Sequence, residues 1–265
     1  MNNFFKYFNS YRLVFIFFLG LFLRLSYSLI RYSEGIVDKF ADDKHYFQFG
    51  LQVLKQGPFV NDISNLKEPF VAPFLPWILG LEMKLFGAEW LHIFLLNSFF
   101  GAIFPLLIYY CFKQFFSDRV SFICAIWICL SPMYIHFTPT AGKDLLICFF
   151  NLFLIVSFLK LIKNQNGQNI LFFSLSVAGS FFTDERFLIY TPFLVILFLA
   201  LCNNSTIIKL KVISISFFII CILHLPWLVR NFQVYDRFVL VTERADSLIE
   251  LFIENENKNI IEKSL

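Results

Sequence analysis

Charge is scarce in this sequence. Only 15% of the 265 residues are Asp, Glu, Lys or Arg, against ~25% in an ordinary soluble domain. The charges also nearly balance, with 22 Lys+Arg against 19 Asp+Glu and a net charge of +3. No basic stripe exists to track a nucleic-acid backbone. Low hydrophobicity with high net charge, the mark of disorder, is absent too. The six cysteines form no C-x-x-C pair and avoid the long hydrophilic loops. They read as small apolar residues within helices, not as metal ligands or disulfides. His45, His92, His136 and His224 show no ligand spacing, and only His224, near one end of an apolar run, stands out. Gly142-Lys143 lacks the upstream glycine and the following Ser or Thr of a phosphate-binding loop. What the chain has instead is 58% hydrophobic and 20% aromatic residues, with a mean hydropathy of +0.69. That composition predicts an all-α membrane protein with several spans.

A spanning helix needs ~20 mostly apolar residues. Seven segments qualify: 13–31, 91–112, 119–137, 144–162, 169–183, 187–202 and 212–229. The first follows Lys6 and Arg12 but has no small-x-small cleavage site, so it reads as a retained span and not a signal peptide. Segments 169–183 and 187–202 are short and predict a tight hairpin about 184–186. An eighth apolar stretch, 70–88, carries Pro73 and Pro76 early and Glu82 and Lys84 late. A charge in the middle of a lipid-exposed helix costs about 2.5–3.5 kcal/mol. This stretch is therefore expected to be interfacial or re-entrant.

Charge counting fixes the expected sidedness. With 70–88 outside the count of spans and the N-terminus in the cytoplasm, the inner segments are 1–12, 113–119, 160–168 and 203–211. They hold Lys6, Arg12, Lys113, Arg119, Lys160, Lys163, Lys209 and Lys211, and Asp118 as their one acid. Positive residues concentrate on cytoplasmic loops. A spanning 70–88 would move three of these basic loops outside. The outer face then receives the loop 32–90, the turn 138–143, the turn Thr183-Asp184-Glu185-Arg186 and everything after Pro226-Trp227.

The first outer loop contains an amphipathic helix. Tyr46, Phe49, Val53 and Leu54 recur at helical spacing, and Gly57-Pro58 stops the run. Asp42 occupies the expected N-cap. Asp42 and Asp43 either cap this helix or supply a carboxylate base, which the helix N-terminus would keep ionised. Lys143 and Asp144 open the fourth span. They read either as a snorkelling lysine beside a capping aspartate or as functional groups. Asp184, Glu185 and Arg186 cap a helical hairpin, and Arg230 follows an interfacial Trp227.

Together these residues resemble the GT-C superfamily of membrane glycosyltransferases, in its protein-mannosyltransferase-like and aminoarabinose-transferase-like branch. The resemblance rests on Asp42-Asp43-Lys44-His45-Tyr46 closing at Gly57, and on Glu68-Pro69-Phe70-Val71-Ala72-Pro73-Phe74-Leu75-Pro76-Trp77 ending at Leu85-Phe86-Gly87. The Lys143-Asp144 helix start, the Arg186 position and Pro226-Trp227-x-x-Arg230-Asn231 are similar as well. It implies a sugar transfer from a polyprenyl-phosphate carrier, by a single inverting displacement at the outer face of a bacterial inner membrane. On that basis Asp42 is the expected base, with Asp43 beside it. Glu68 and Asp144 are expected to orient the acceptor or a divalent metal ion, whose need the ligand set leaves undecided. Lys143, Arg186 and Arg230 are expected to hold the donor phosphate, with Arg230 able to do so bidentately. The expected partners are membrane lipids, the lipid-linked sugar and an acceptor glycan, lipid or protein. Residues 1–240 read as the family's front module and 241–265 as a polar outer tail, the start of a further C-terminal region. A truncated, non-catalytic module that binds lipid-linked sugar is the alternative. A transporter is the third reading, disfavoured because Arg24 is the only charge away from the ends of a span.

Overall fold

The computed structural model describes residues 2–36, 41–59, 71–236 and 238–242. Ten helices account for most of them, and no strand occurs among the described residues. They are α1 (Asn2–Ser33), α2 (Ala41–Gln56), α3 (Phe74–Phe86), α4 (Trp90–Phe112), α5 (Asp118–Leu130), α6 (Pro132–His136), α7 (Asp144–Lys163), α8 (Gly167–Thr183), α9 (Phe187–Leu201) and α10 (Thr206–Tyr235). The protein is thus all-α, as composition predicts. Four stretches are long and apolar enough to cross a membrane unaided: Tyr11–Ser33, Trp90–Phe112, Asp144–Lys163 and Thr206–Tyr235. The shorter apolar α9 joins them as a candidate.

Two of the expected spans differ in form. Segment 119–137 is not one helix, because it breaks between α5 and α6. Ser131 is extended, at φ −61° and ψ 119°, as the residue before a proline prefers, and Pro132 then starts α6 at its first turn. The last span is longer than its apolar centre, running from Thr206 to Tyr235 through Pro226. Segment 70–88 yields α3, whose 13 residues fall short of the ~20 that cross a bilayer. The hairpin at 184–186 forms as expected, between the last residue of α8 and the first of α9.

The chain divides into two compact units. The first comprises Met1–Lys55 and Leu75–Leu152. Here α1 packs chiefly along α4, and both meet α5. Small residues let these helices approach closely. A Cβ on Gly20 would stand 3.2 Å from Cys129 Sγ, and one on Gly101 only 2.8 Å from Arg24 Nε. Arg24, the charge within a span, is fully buried in this contact and donates to the carbonyls of Gly20 and Cys129. Ser28 and Ser98 hydrogen-bond across α1 and α4 at 2.9 Å. The turn from α4 to α5 is tied by Lys113, Asp118 and the Tyr109 hydroxyl.

On the same unit, α2 crosses α3 at two glycines. A Cβ on Gly50 would lie 2.8 Å from Leu79 Cβ, and one on Gly80 would lie 2.5 Å from Val53 Cγ1. Gly57 ends α2 with φ +90°, the left-handed residue expected just past a helix end.

The second unit comprises Gln56–Phe74 and Phe153–Leu265. Phe158, Leu161, Ile170, Phe198, Cys202 and Val212 form its core, drawn from α7, α8, α9 and α10. Asn166 caps α8 by accepting from the Asn169 N–H at 2.8 Å. Ser174, Ser176, Ser180 and Thr183 each return their hydroxyl proton to a carbonyl four residues back. That satisfies the polar atoms that α8 buries. Asp236 ends α10 in a left-handed turn, at φ 51°. Residues beyond it return over the helix end, where Trp227 Nε1 donates to the Val241 carbonyl and Asn231 Nδ2 to that of Val239.

Candidate active site

The α2 register separates the two aspartates. The helix starts at Ala41, one residue before the expected N-cap, so Asp42 and Asp43 both lie in its first turn. Asp43, Tyr46 and Gly50 follow one another by three and four residues, and all three are buried. Asp42 lies off that stripe and is exposed. Asp43 is 0% exposed.

The turn between α6 and α7 provides the surroundings of Asp43. It is fixed by short-range bonds. Thr138 Oγ1 donates to the Tyr134 carbonyl, Thr140 Oγ1 to that of Phe137, and the Gly142 N–H points to Thr140 Oγ1. Asn97, on α4, clamps it with a 2.7 Å bond from Nδ2 to the Thr140 carbonyl. Thr138, Thr140 and Ala141 are all buried. Asp144 then opens α7, with Lys143 accepting the first intrahelical bond from Ile147.

Asp43 and Asp144 converge over Gly142. A Cβ placed on that glycine would stand 3.4 Å from Asp43 Oδ1, 3.2 Å from Asp144 Oδ2 and 3.4 Å from Thr140 Oγ1. Both carboxylates sit in the first turn of a helix, Asp43 buried and Asp144 exposed. Lys143 is half-buried beside them in sequence and supplies a cation.

The remaining expected groups lie on the second unit. Asp184 follows α8 and is 1% exposed. It takes a two-pronged bond from Arg186, with Nε to Oδ1 and Nη2 to Oδ2 each at 2.8 Å, and accepts the Arg186 backbone N–H at 2.9 Å. The bond to Asp184 raises the Arg186 pKa still further above its ordinary value. The guanidinium edge turned away from Asp184 keeps N–H donors in a fixed fork, since the Arg186 side chain is 63% exposed.

Arg230 is buried. Its guanidinium lies over the rings of Trp227 and Tyr235, and Nη1 donates to Asn231 Oδ1 at 2.9 Å and to the Tyr235 hydroxyl at 3.1 Å. His224 stacks on Phe182 at 4.1 Å and uses Nδ1 to reach the Ile220 carbonyl, while its Nε2 is buried without a hydrogen-bond partner. Glu68 lies outside the described residues. Among the described residues no three His, Cys, Asp or Glu side chains come together as a metal-binding group.

Sequence reading singled out Asp43, Lys143 and Asp144 but missed Thr140, Gly142 and Asn97. Thr140 and Gly142 carry no signal by residue type, because only the fold brings them to Asp43. Glu82 was read as a charge against spanning. It is buried on α3, with Oε2 lacking any hydrogen-bond partner, and desolvation pushes its carboxyl up to about 7.

The family model described as dolichyl-phosphate-mannose-protein mannosyltransferase matches residues 67–229. That stretch includes Glu68, Thr140, Gly142, Lys143, Asp144 and Arg186, and stops short of Asp42, Asp43 and Arg230. No curated protein matches the chain.

Proposed function

The chain belongs to the dolichyl-phosphate-mannose-protein mannosyltransferase family, and from that premise we propose that it transfers a sugar from a polyprenyl-phosphate carrier to an acceptor at the outer membrane face. Membership makes it a membrane glycosyltransferase of the GT-C class. The donor, the sidedness and the stereochemistry are our reading. One observation carries the assignment of roles: two carboxylates in the first turns of two helices, Asp43 fully buried, come together beside Gly142.

In this reading Asp43, not Asp42, is the base. The acceptor hydroxyl attacks the anomeric carbon, and its proton passes to the Asp43 carboxylate as the new C–O bond forms. The bond from the anomeric carbon to the phosphate oxygen breaks on the opposite side, and the electron pair leaves with the polyprenyl phosphate. One displacement inverts the anomeric centre. Asp144 orients the acceptor. The leaving group is anionic, so cations assist its departure. We assign this role to Lys143 and, following the family resemblance, to Arg186 and Arg230. Glu68 is proposed as a further orienting acid.

The test is discharge of polyprenyl-phosphate mannose by the purified full chain. Asp43→Asn should cut transfer by ~10²–10⁴-fold, the span of general-base catalysis, while Asp42→Asn costs little. The opposite ranking would return the base to Asp42. Equal, undiminished transfer by both variants would remove the base from α2.

A further inference from the structure

Arg31 stands in the last turn of α1, beyond Arg24. The residue as a whole is half-buried, yet its Nε and Nη2 atoms are buried and hydrogen-bond to nothing among the described residues. In water both atoms would be hydrogen-bonded, so their burial costs free energy that no bond within the chain returns.

Neither ordinary role of an arginine at a helix end accounts for this. A snorkelling side chain keeps its charged head in water, whereas here part of the head is covered. A cation can also bond the last carbonyls of its helix. Those are taken: Ile30 accepts from the Glu34 N–H and the Ser33 hydroxyl, Arg31 from Ile36, and Tyr32 from Gly35. The two orphaned atoms form one edge of the guanidinium fork. Arg186 grips Asp184 with that same edge, Nε and Nη2 each donating at 2.8 Å to one carboxylate oxygen. A partner for Arg31 therefore brings two oxygens at carboxylate or phosphate spacing and a negative charge.

The helices place Arg31 at the same end of the first unit as Asp43. One turn before it, Ser28 bonds Ser98 on α4. Next to Ser98, Asn97 holds Thr140, beside Asp43 and Asp144. Gly20 packs on Ala102, so α1 and α4 run antiparallel, and Arg31 lies on the Trp90 side of the Ser28–Ser98 bond. Trp90 stacks on Phe47 of α2, one turn after Asp43. The end of α1, the start of α2 and the 138–143 turn thus gather about the start of α4.

We propose that the Nε–Nη2 edge of Arg31 binds the phosphate of the lipid-linked donor. This rests on the sugar-transfer reading, and it adds a cation from the same unit as the two carboxylates. A phospholipid headgroup offers the same phosphate chemistry, so the test separates the two sources.

The experiment measures binding of polyprenyl phosphate, polyprenol and phosphatidylglycerol to the purified full chain, with thermal unfolding alongside. Arg31→Met should weaken polyprenyl phosphate binding ~10–100-fold, the worth of a charge-assisted pair of bonds, and leave polyprenol binding unchanged. Arg31→Lys, which keeps the charge but not the fork, should fall between. Without ligand, Arg31→Met should melt no lower than wild type, because it removes a buried charge and breaks no bond. Unchanged polyprenyl phosphate affinity in Arg31→Met would overturn the proposal. So would a lower melting temperature with equal loss of polyprenol binding, the mark of a structural role. Phosphatidylglycerol competing as well as polyprenyl phosphate would give the edge to a membrane headgroup and overturn the donor assignment. If Arg31→Met does not fold, Arg31→Lys decides on the same affinities. Arg31→Met that binds and discharges donor like wild type, while Asp43→Asn is inactive, would remove this inference and leave the base in place. No transfer by wild type, with phosphate binding still lost in Arg31→Met, would remove the sugar-transfer reading and leave Arg31 as a lipid-phosphate site.

Discussion

Adjacent residues on a helix point roughly 100° apart, and on α2 that turn separates an exposed Asp42 from a buried Asp43. The difference was legible in the sequence. The apolar stripe that includes Tyr46 extends back by three residues to Asp43, not to Asp42. N-cap reasoning pointed the other way, because it assumed a helix start two residues later than the one observed. Thr140 and Gly142 could not be read in this manner, because their importance comes from a carboxylate nearly a hundred positions earlier in the chain. A prediction at this scale concerns Arg186. Its fork is oriented by Asp184, and lysine cannot reproduce that geometry. Arg186→Lys should raise the donor KM several-fold with kcat little changed, in steady-state transfer assays. An unchanged KM would show that Arg186 serves the α8–α9 hairpin alone.

At the scale of elements, α3 carries the surface on which α2 rests. Gly80 allows Val53 and the Gly50 carbonyl to approach its backbone, and an added methyl would overlap Val53 at 2.5–2.8 Å. Overpacking of this kind costs roughly 1–3 kcal/mol. Gly80→Ala should lower the melting temperature and also reduce transfer, because a displaced α2 moves Asp43. A loss of stability with full activity would separate the crossing from the site. Glu82 gives α3 a pH dependence. The folded state holds its proton to about pH 7, whereas the ordinary carboxyl ionises near 4.5. Stability is therefore full below pH 4.5, falls as pH rises from 4.5 to 7, and is level above, a loss of about 3 kcal/mol. Glu82→Gln should flatten that slope in thermal unfolding across pH 4–8. A slope that survives the substitution would place its origin in another group. Sequence reading placed most helix ends within a few residues but joined α5 to α6, because apolar content continues through Ser131-Pro132 while the backbone does not.

For the molecule as a whole, composition was the most legible feature. A chain with 58% hydrophobic residues must bury them in lipid or in itself, and helices satisfy their own backbone in lipid. The sidedness we propose comes from the eight basic residues against Asp118 on the inner segments. Single cysteines on a cysteine-free background should react with impermeant reagent from outside at Asp62 and not at Asn166. Labelling of Asn166 from outside would reverse the topology.

The central claim joins sidedness to chemistry, and one measurement addresses both. Proteoliposomes of defined orientation would carry the full chain, with radiolabelled polyprenyl-phosphate mannose confined to the leaflet facing the 138–143 turn, and release of sugar to an alcohol in the adjoining medium would be followed. We predict turnover by wild type from that leaflet alone, and a ~10²–10⁴-fold loss in Asp43→Asn with donor binding intact. Equal release by wild type and Asp43→Asn, or turnover only from the opposite leaflet, would contradict the account.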